Sequence, residues 1–151
     1  MAASAWIKCA EGVRDLFRGV FPGIAVSGVD AIPSANIIIK ERDRLFADVT
    51  LPAIVIAPMA EIERPATINQ DDTGHGVGVM IVKAANRSAG AVDELQYWRD
   101  LAKETIRDNR RNNSANVHLI EIEPRQVIDP AAWASMYQVS QFVARCWVRS
   151  T

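Results

Sequence analysis

The sequence predicts an α+β fold, with a mostly antiparallel sheet and two main helices packed on one face. Two stretches carry apolar residues at three- and four-residue steps, which is the period of amphipathic helices. Other runs are β-branched or alternate apolar with polar residues between proline and glycine punctuation, as strands do. The order is helix, strands, helix, two strands, and runs of strands beside segregated helices define this class.

The first helix carries Trp6, Cys9, Ala10, Val13, Leu16, Phe17 and Val20 at helical spacing, with Lys8, Glu11, Arg14, Asp15 and Arg18 between them. Pro22-Gly23 is expected to stop it, because proline cannot continue the hydrogen-bond ladder. Ile24–Val29 and Asn36–Lys40 each read as a short strand, whereas Glu41–Asp48 is too charged for one. In Leu51-Pro-Ala-Ile-Val-Ile-Ala-Pro58, prolines bracket a β-branched core, as at a strand whose ends do not pair. Glu61–Asp72 is polar, contains Pro65, and runs into the turn Asp71-Asp72-Thr73-Gly74, so it reads as a loop. Val77, Val79 and Ile81 then alternate with Gly76, Gly78 and Met80. That strand has one thin face, open to the approach of another backbone.

After a loop at Ala84–Gly90, Asp93 and Gln96 have capping-box spacing ahead of Leu95, Trp98, Leu101, Ala102, Thr105 and Ile106. The second helix ends in Arg107, Arg110 and Arg111. Val117–Glu123 is a further strand closed by Pro124, and Asp129-Pro130 opens a tight turn or short helix around Trp133. Met136–Arg149 is the final strand. Phe142, Ala144, Cys146 and Val148 form its core face; Val139, Val143 and Trp147 alternate with Gln141, Arg145 and Arg149 on the other. A face that mixes Trp147 with two arginines is expected to be covered by another layer or another subunit. Val143, Arg145, Trp147 and Arg149 are therefore the candidate subunit interface.

Composition narrows the function classes. The chain has 151 residues, 49% hydrophobic and 23% charged, which suits one globular domain spanning 1–151. A net charge of −1 supplies no global field for nucleic acid or an acidic membrane. No apolar run reaches the roughly 18 residues of a membrane span. The N-terminus lacks the basic start and apolar block of a secretory signal, and Cys9 and Cys146 belong to no spaced motif. Buried reduced thiols in a protein made in a cytoplasm are the expectation.

Catalytic chemistry is poorly supplied. His75 sits between glycines, in an expected turn, and His118 shares a strand face with Ile120 and Ile122. No zinc spacing or nucleophile elbow accompanies them. Gly74-His-Gly-Val-Gly78 runs into a strand without the lysine of a phosphate loop, so no cofactor is expected. Glu61 with Glu63, and Asp71 with Asp72, are paired carboxylates; together with Arg64 they read as a solvated loop that orders against a partner. Arg107, Arg110 and Arg111 can share one helix face, where they complement the C-terminal dipole or, on the sharper reading, contact phosphate.

The order of these elements resembles the tail terminator (tail completion) proteins of long-tailed bacteriophages. The resemblance rests on the helix Trp6–Val20, the Pro-started strand Leu51–Pro58, the acidic stretch Glu61–Asp72, and the alternating strand Val77–Val82. It continues through the Trp-bearing helix from Asp93, the bend Asp129–Trp133 and the alternating last strand, covering roughly residues 5 to 149. It implies a non-enzymatic virion protein, without cofactor or membrane, whose copies close into a ring, typically a hexamer. Such a ring caps the tail tube protein, ends tube polymerisation and offers a docking surface to the head–tail connector. DNA passes through it without specific binding. Another neck component makes the same predictions. A small cytosolic α+β enzyme or ligand-binding domain predicts instead a polar pocket in a monomer or dimer, and a DNA-binding module rests on the arginines alone.

Overall fold

A computed structural model of the protein describes residues 4–40, 49–67, 70–84, 91–109, 117–124 and 137–149. Ser4 begins the first helix, α1 (Ala5–Arg18), by accepting the Ile7 N–H on its side-chain oxygen at 3.2 Å. Cys9, Ala10, Val13 and Phe17 form its buried stripe. The helix ends at Arg18, before the expected stop, and Gly19 caps it by donating to the Asp15 and Leu16 carbonyls. Pro22 lies in the following 3-10 turn, Phe21–Gly23, at a first-turn position where no N–H is needed.

Ile24–Val29 is not a strand. Val26 and Val29 meet in an isolated bridge closed around Ser27-Gly28, with Gly28 at φ +82°. A turn that needs positive φ takes glycine at that place, and it breaks the apolar run. Asn36–Lys40 does contain a strand, β1 (Ile37–Ile39).

Among the described residues, β1, β2 (Ala53–Thr67), β3 (Gln70–Ala84), β4 (Val117–Pro124) and β5 (Tyr137–Arg149) form one sheet in the order β1-β2-β3-β5-β4. Only the β1–β2 pair is parallel. Both helices lie on one face, where Phe17, Trp98 and Ile106 join Ile54, Ile56, Val79, Ile81 and Phe142 in the main core. Val55, Ala57, Met80, Val82 and Val139 make a smaller core on the opposite face. Burial on both sides explains the continuous apolar run of Ala53–Ala57, which a half-exposed strand would break by alternation.

Two sequence expectations are corrected here. Pro58 does not end its strand: β1 pairs with β2 only through Ile56, so Pro58 lies on an edge, where proline is tolerated. Glu61–Asp72 is not a loop. It belongs to a long hairpin arm whose pairing reaches Thr67 and Gln70, with Arg64 opposite Asp72 and Ile62 opposite Gly74. Cross-strand partners override the turn propensity of Asp71–Gly74. His75 accordingly lies within β3, its side chain 12% exposed, rather than in a turn.

The second helix, α2 (Ala91–Asp108), begins before Asp93. Asp93 and Glu94 thus occupy its first turn, where carboxylates suit the dipole, and Asp93 is not the cap. Three polar ties fix the helix to the sheet side. Trp98 Nε1 donates to the Asp30 carbonyl at 2.9 Å, and Arg99 donates to Ser140 Oγ at 3.1 Å and to the Gln141 carbonyl at 2.7 Å. Burial pulls the Arg99 guanidinium below its ordinary pKa. The third tie is a buried ion pair, Lys83 Nζ to Glu94 Oε1 at 2.6 Å, whose second carboxylate oxygen accepts the Asp30 N–H at 2.8 Å. Glu94→Ala strands the Lys83 ammonium, and a loss of about 3 kcal/mol is expected in urea unfolding. Lys83→Met/Glu94→Leu should lose less than that single variant, since no lone charge remains. Equal losses would show that the pair is hydrated. The bend Asp129–Trp133, the charged segment 41–48 and positions 85–90 lie outside the described residues.

Candidate functional site

The face of the sheet opposite the helices carries the polar chemistry. Gly74, Gly76 and Gly78 alternate along β3 and pair with Trp147, Arg145 and Val143 of β5. The thin face expected from these glycines is real, but side chains fill it. A Cβ on Gly74 would stand 2.7 Å from Arg145 Cδ and 3.0 Å from the Trp147 ring. One on Gly78 would stand 2.8 Å from Met59 Cγ. The β5 and β2 side chains lie flat in a channel that any larger β3 residue would block.

Arg145 is the centre of this channel and is 2% exposed. Its guanidinium forms a two-pronged pair with Glu123, Nε to Oε1 at 2.8 Å and Nη2 to Oε2 at 3.0 Å. Nη1 also donates to the carbonyls of Gly74, at 3.1 Å, and of Ala60. The Ala60 contact depends on a register shift in β2 between Met59 and Ile62, an irregularity of the kind that re-aims backbone groups. On the other face, Trp6 Nε1 donates to the Gly76 carbonyl at 2.8 Å beside the same shift.

Asp72 gathers a second cluster. Arg149 Nε donates to its carboxylate at 3.0 Å, His118 Nε2 stands 3.4 Å away and Arg64 Nε 3.8 Å away. Arg64 also lies over the Trp147 ring, 3.8 Å from its centroid. Residues that the sequence assigned to two separate sets, Arg64 and Asp72 in a loop and Trp147 and Arg149 on the last strand, are thereby one cluster. The chain itself covers Val143 and Trp147, which are 1% and 5% exposed. This corrects the premise that the final strand needs a neighbour for cover. Intrachain packing by Arg64, Met59 and the β2 arm supplies it, and only Arg149 stays half exposed.

The hydrogen bond from Arg149 holds the Asp72 carboxyl below its ordinary value of 3.8, with His118 and Arg64 adding to the effect and burial opposing it. A carboxyl depressed in the folded state contributes stability that is fully present above its unfolded value. That stability is lost as pH falls through the depressed one. Asp72→Asn is therefore expected to be less stable than the parent at neutral pH, with the gap closing as pH drops below 3.8. Urea midpoints across that range check this; a gap independent of pH would rule the linkage out.

The remaining candidates are scattered. Glu61, Glu63 and Asp71 are exposed on the arm. Arg107 is exposed near the end of α2, while Arg110 and Arg111 lie outside the described residues. Cys9 and Cys146 are fully buried in the main core. Their mutual hydrogen bond, reinforced by burial, pushes the Cys146 thiol up, so it stays protonated. Among the described residues no three His, Cys, Asp or Glu side chains converge as metal ligands, and no helix is long and apolar enough to cross a membrane. Sequence reasoning missed the Lys83–Glu94 pair, buried Arg99 and exposed Met59 and Ile62. Only the period-two glycines signalled where the channel would form.

The fold and this surface define an α+β protein with a long β2–β3 hairpin and a buried arginine network. No family model matches the chain, and no curated protein matches it.

Proposed function

We propose that the protein is a structural virion component of long-tailed bacteriophages, a tail terminator whose copies form a ring at the head-proximal end of the tail. In this role it ends polymerisation of the tube and presents a surface to the connector. The observation that carries the reading is the hairpin arm. Met59–Pro65 is exposed residue after residue, on a strand whose outer side, among the described residues, is unpaired beyond Ile56. A long exposed strand edge is a liability in a protein that works alone, and a docking element in one that assembles. The element order supports the same role.

A ligand-binding domain has one observation in its favour, a cleft of about 220 Å³ lined by Asp30, Pro52, Lys83, Glu94 and Trp98. There Lys83 and Glu94 already satisfy each other, and a structural ion pair accounts for them.

Two measurements test the proposal. The mass of the purified protein, alone and mixed with tail tubes, should reach that of a ring at least on the tubes. Removal of residues 64–70, the end of the arm, should give tails of uncontrolled length that fail to join heads. Normal tail length and head joining in that variant would refute the arm's role.

A further inference from the structure

Among the described residues, the sheet ends in two open edges of different character. At one end, among the described residues, nothing pairs with the outer side of β2 beyond Ile56. At the other, among the described residues, β4 is paired with β5 alone. Between the β4 edge and the end of α2 lies a groove of about 300 Å³, lined by Arg107, Ile120, Glu121 and Ile122. An unpaired strand edge beside a groove is built to accept another strand.

Register decides which side chains each edge presents to which face. Glu63 pairs with Thr73, and the Glu61 carboxylate stands 3.9 Å from His75 Nδ1. Thr73 and His75 alternate in step with Val77 and Val79, so both glutamates lie on the helix side of the sheet. Ile62, 45% exposed, pairs with Gly74 and lies on the opposite side. At the far edge Arg107 comes from α2, hence from the helix side. Leu119 pairs with Trp147 and so faces the opposite side.

We infer that the hairpin arm of one copy docks along the β4 edge of the next, with Glu61 and Glu63 meeting Arg107 and Ile62 meeting Leu119. This rests on the ring reading and names the two surfaces that close the ring. In a ring every copy turns the same face outward, so helix-side residues of one edge meet helix-side residues of the other. Glu61 and Glu63 then meet Arg107 on one face and Ile62 meets Leu119 on the other, a face that also carries Arg64 on the arm and the exposed Glu121 on β4. Pro58 and Pro65 lack the N–H of a ladder and confine pairing to the stretch between them, which limits off-register association.

A charge exchange tests the docking. Glu61→Arg/Glu63→Arg and Arg107→Glu change exposed side chains, so both variants fold, as circular dichroism will confirm. Each should raise the concentration needed for ring formation by at least about tenfold in light scattering, because like charges then face each other. Combining the three substitutions in one chain should restore the ring. Rings from either parent variant at the wild-type concentration, or no recovery in the combined chain, would overturn the edge docking and leave the ring reading standing. A wild-type chain that stays monomeric both alone and on tail tubes would remove the ring reading and this docking together.

Discussion

Arg145→Met lowers stability by about 3 kcal/mol or more, the expected result of removing one partner from a buried charge pair. The methionine keeps the apolar stem of the side chain and removes every donor. Glu123 loses both of its bonds to the guanidinium, and the carbonyls of Gly74, which is buried, and of Ala60 lose a donor. A buried acceptor left unsatisfied costs about 1–3 kcal/mol, so the Gly74 carbonyl adds to the loss of the charge pair, whereas the Ala60 carbonyl, on an exposed residue, regains water. Glu123 is a third exposed and recovers part of its hydration, which keeps the loss from being larger. Urea unfolding reads the difference. Adding Glu123→Leu to Arg145→Met should add less than Glu123→Leu alone, because the two residues act as one unit. A loss below about 1 kcal/mol, the range of an exposed pair, would mean that the guanidinium is already hydrated in the folded protein.

Gly76→Ala is expected to cost about 2–3 kcal/mol through overpacking. The new methyl would stand 2.7 Å from the Ala60 carbonyl oxygen and 2.9 Å from the Met59 carbonyl carbon. These are backbone atoms at the register shift, and they cannot swing aside as the end of a long side chain would. Gly23→Ala is the control, since nothing lies within 4 Å of its added methyl. It should change stability by no more than about 0.5 kcal/mol, as surface substitutions do. Thermal or urea unfolding of the two variants separates backbone clash from a general effect of replacing glycine. Equal losses would show that the channel can widen. Because the Arg145–Ala60 bond crosses the same shift, Gly76→Ala should also weaken the arm's attachment and so reduce ring formation.

Much of the fold was legible because it depends on periodicity. The stripe Cys9, Val13 and Phe17 and the stripe Leu95, Trp98, Ala102 and Ile106 are buried as their spacing required. The β5 face of Phe142, Ala144 and Cys146 is core, as alternation implied. The arm was not legible. Glu61–Arg64 and Asp71–Gly74 look like loop and turn by composition, and they become strand only because each finds the other across a hairpin. Val26–Val29 failed in the opposite sense, since one positive φ at Gly28 outweighed an apolar run. Local signals lost wherever a partner distant in sequence, or one strained dihedral, set the energy.

Residue order alone determined the class of fold, the buried stripes of the two helices and the core face of β5, because helix and strand periods are properties of neighbours along the chain. Tertiary structure alone decided the fate of the charges. It placed Arg145 over Gly74 and under the Ala60 carbonyl, brought Arg64 from the arm onto Trp147, and gathered Arg149 and His118 around Asp72. Whether a charged side chain faces water or a buried partner depends on which strands lie side by side and in what register. That is settled only when residues some eighty positions apart meet.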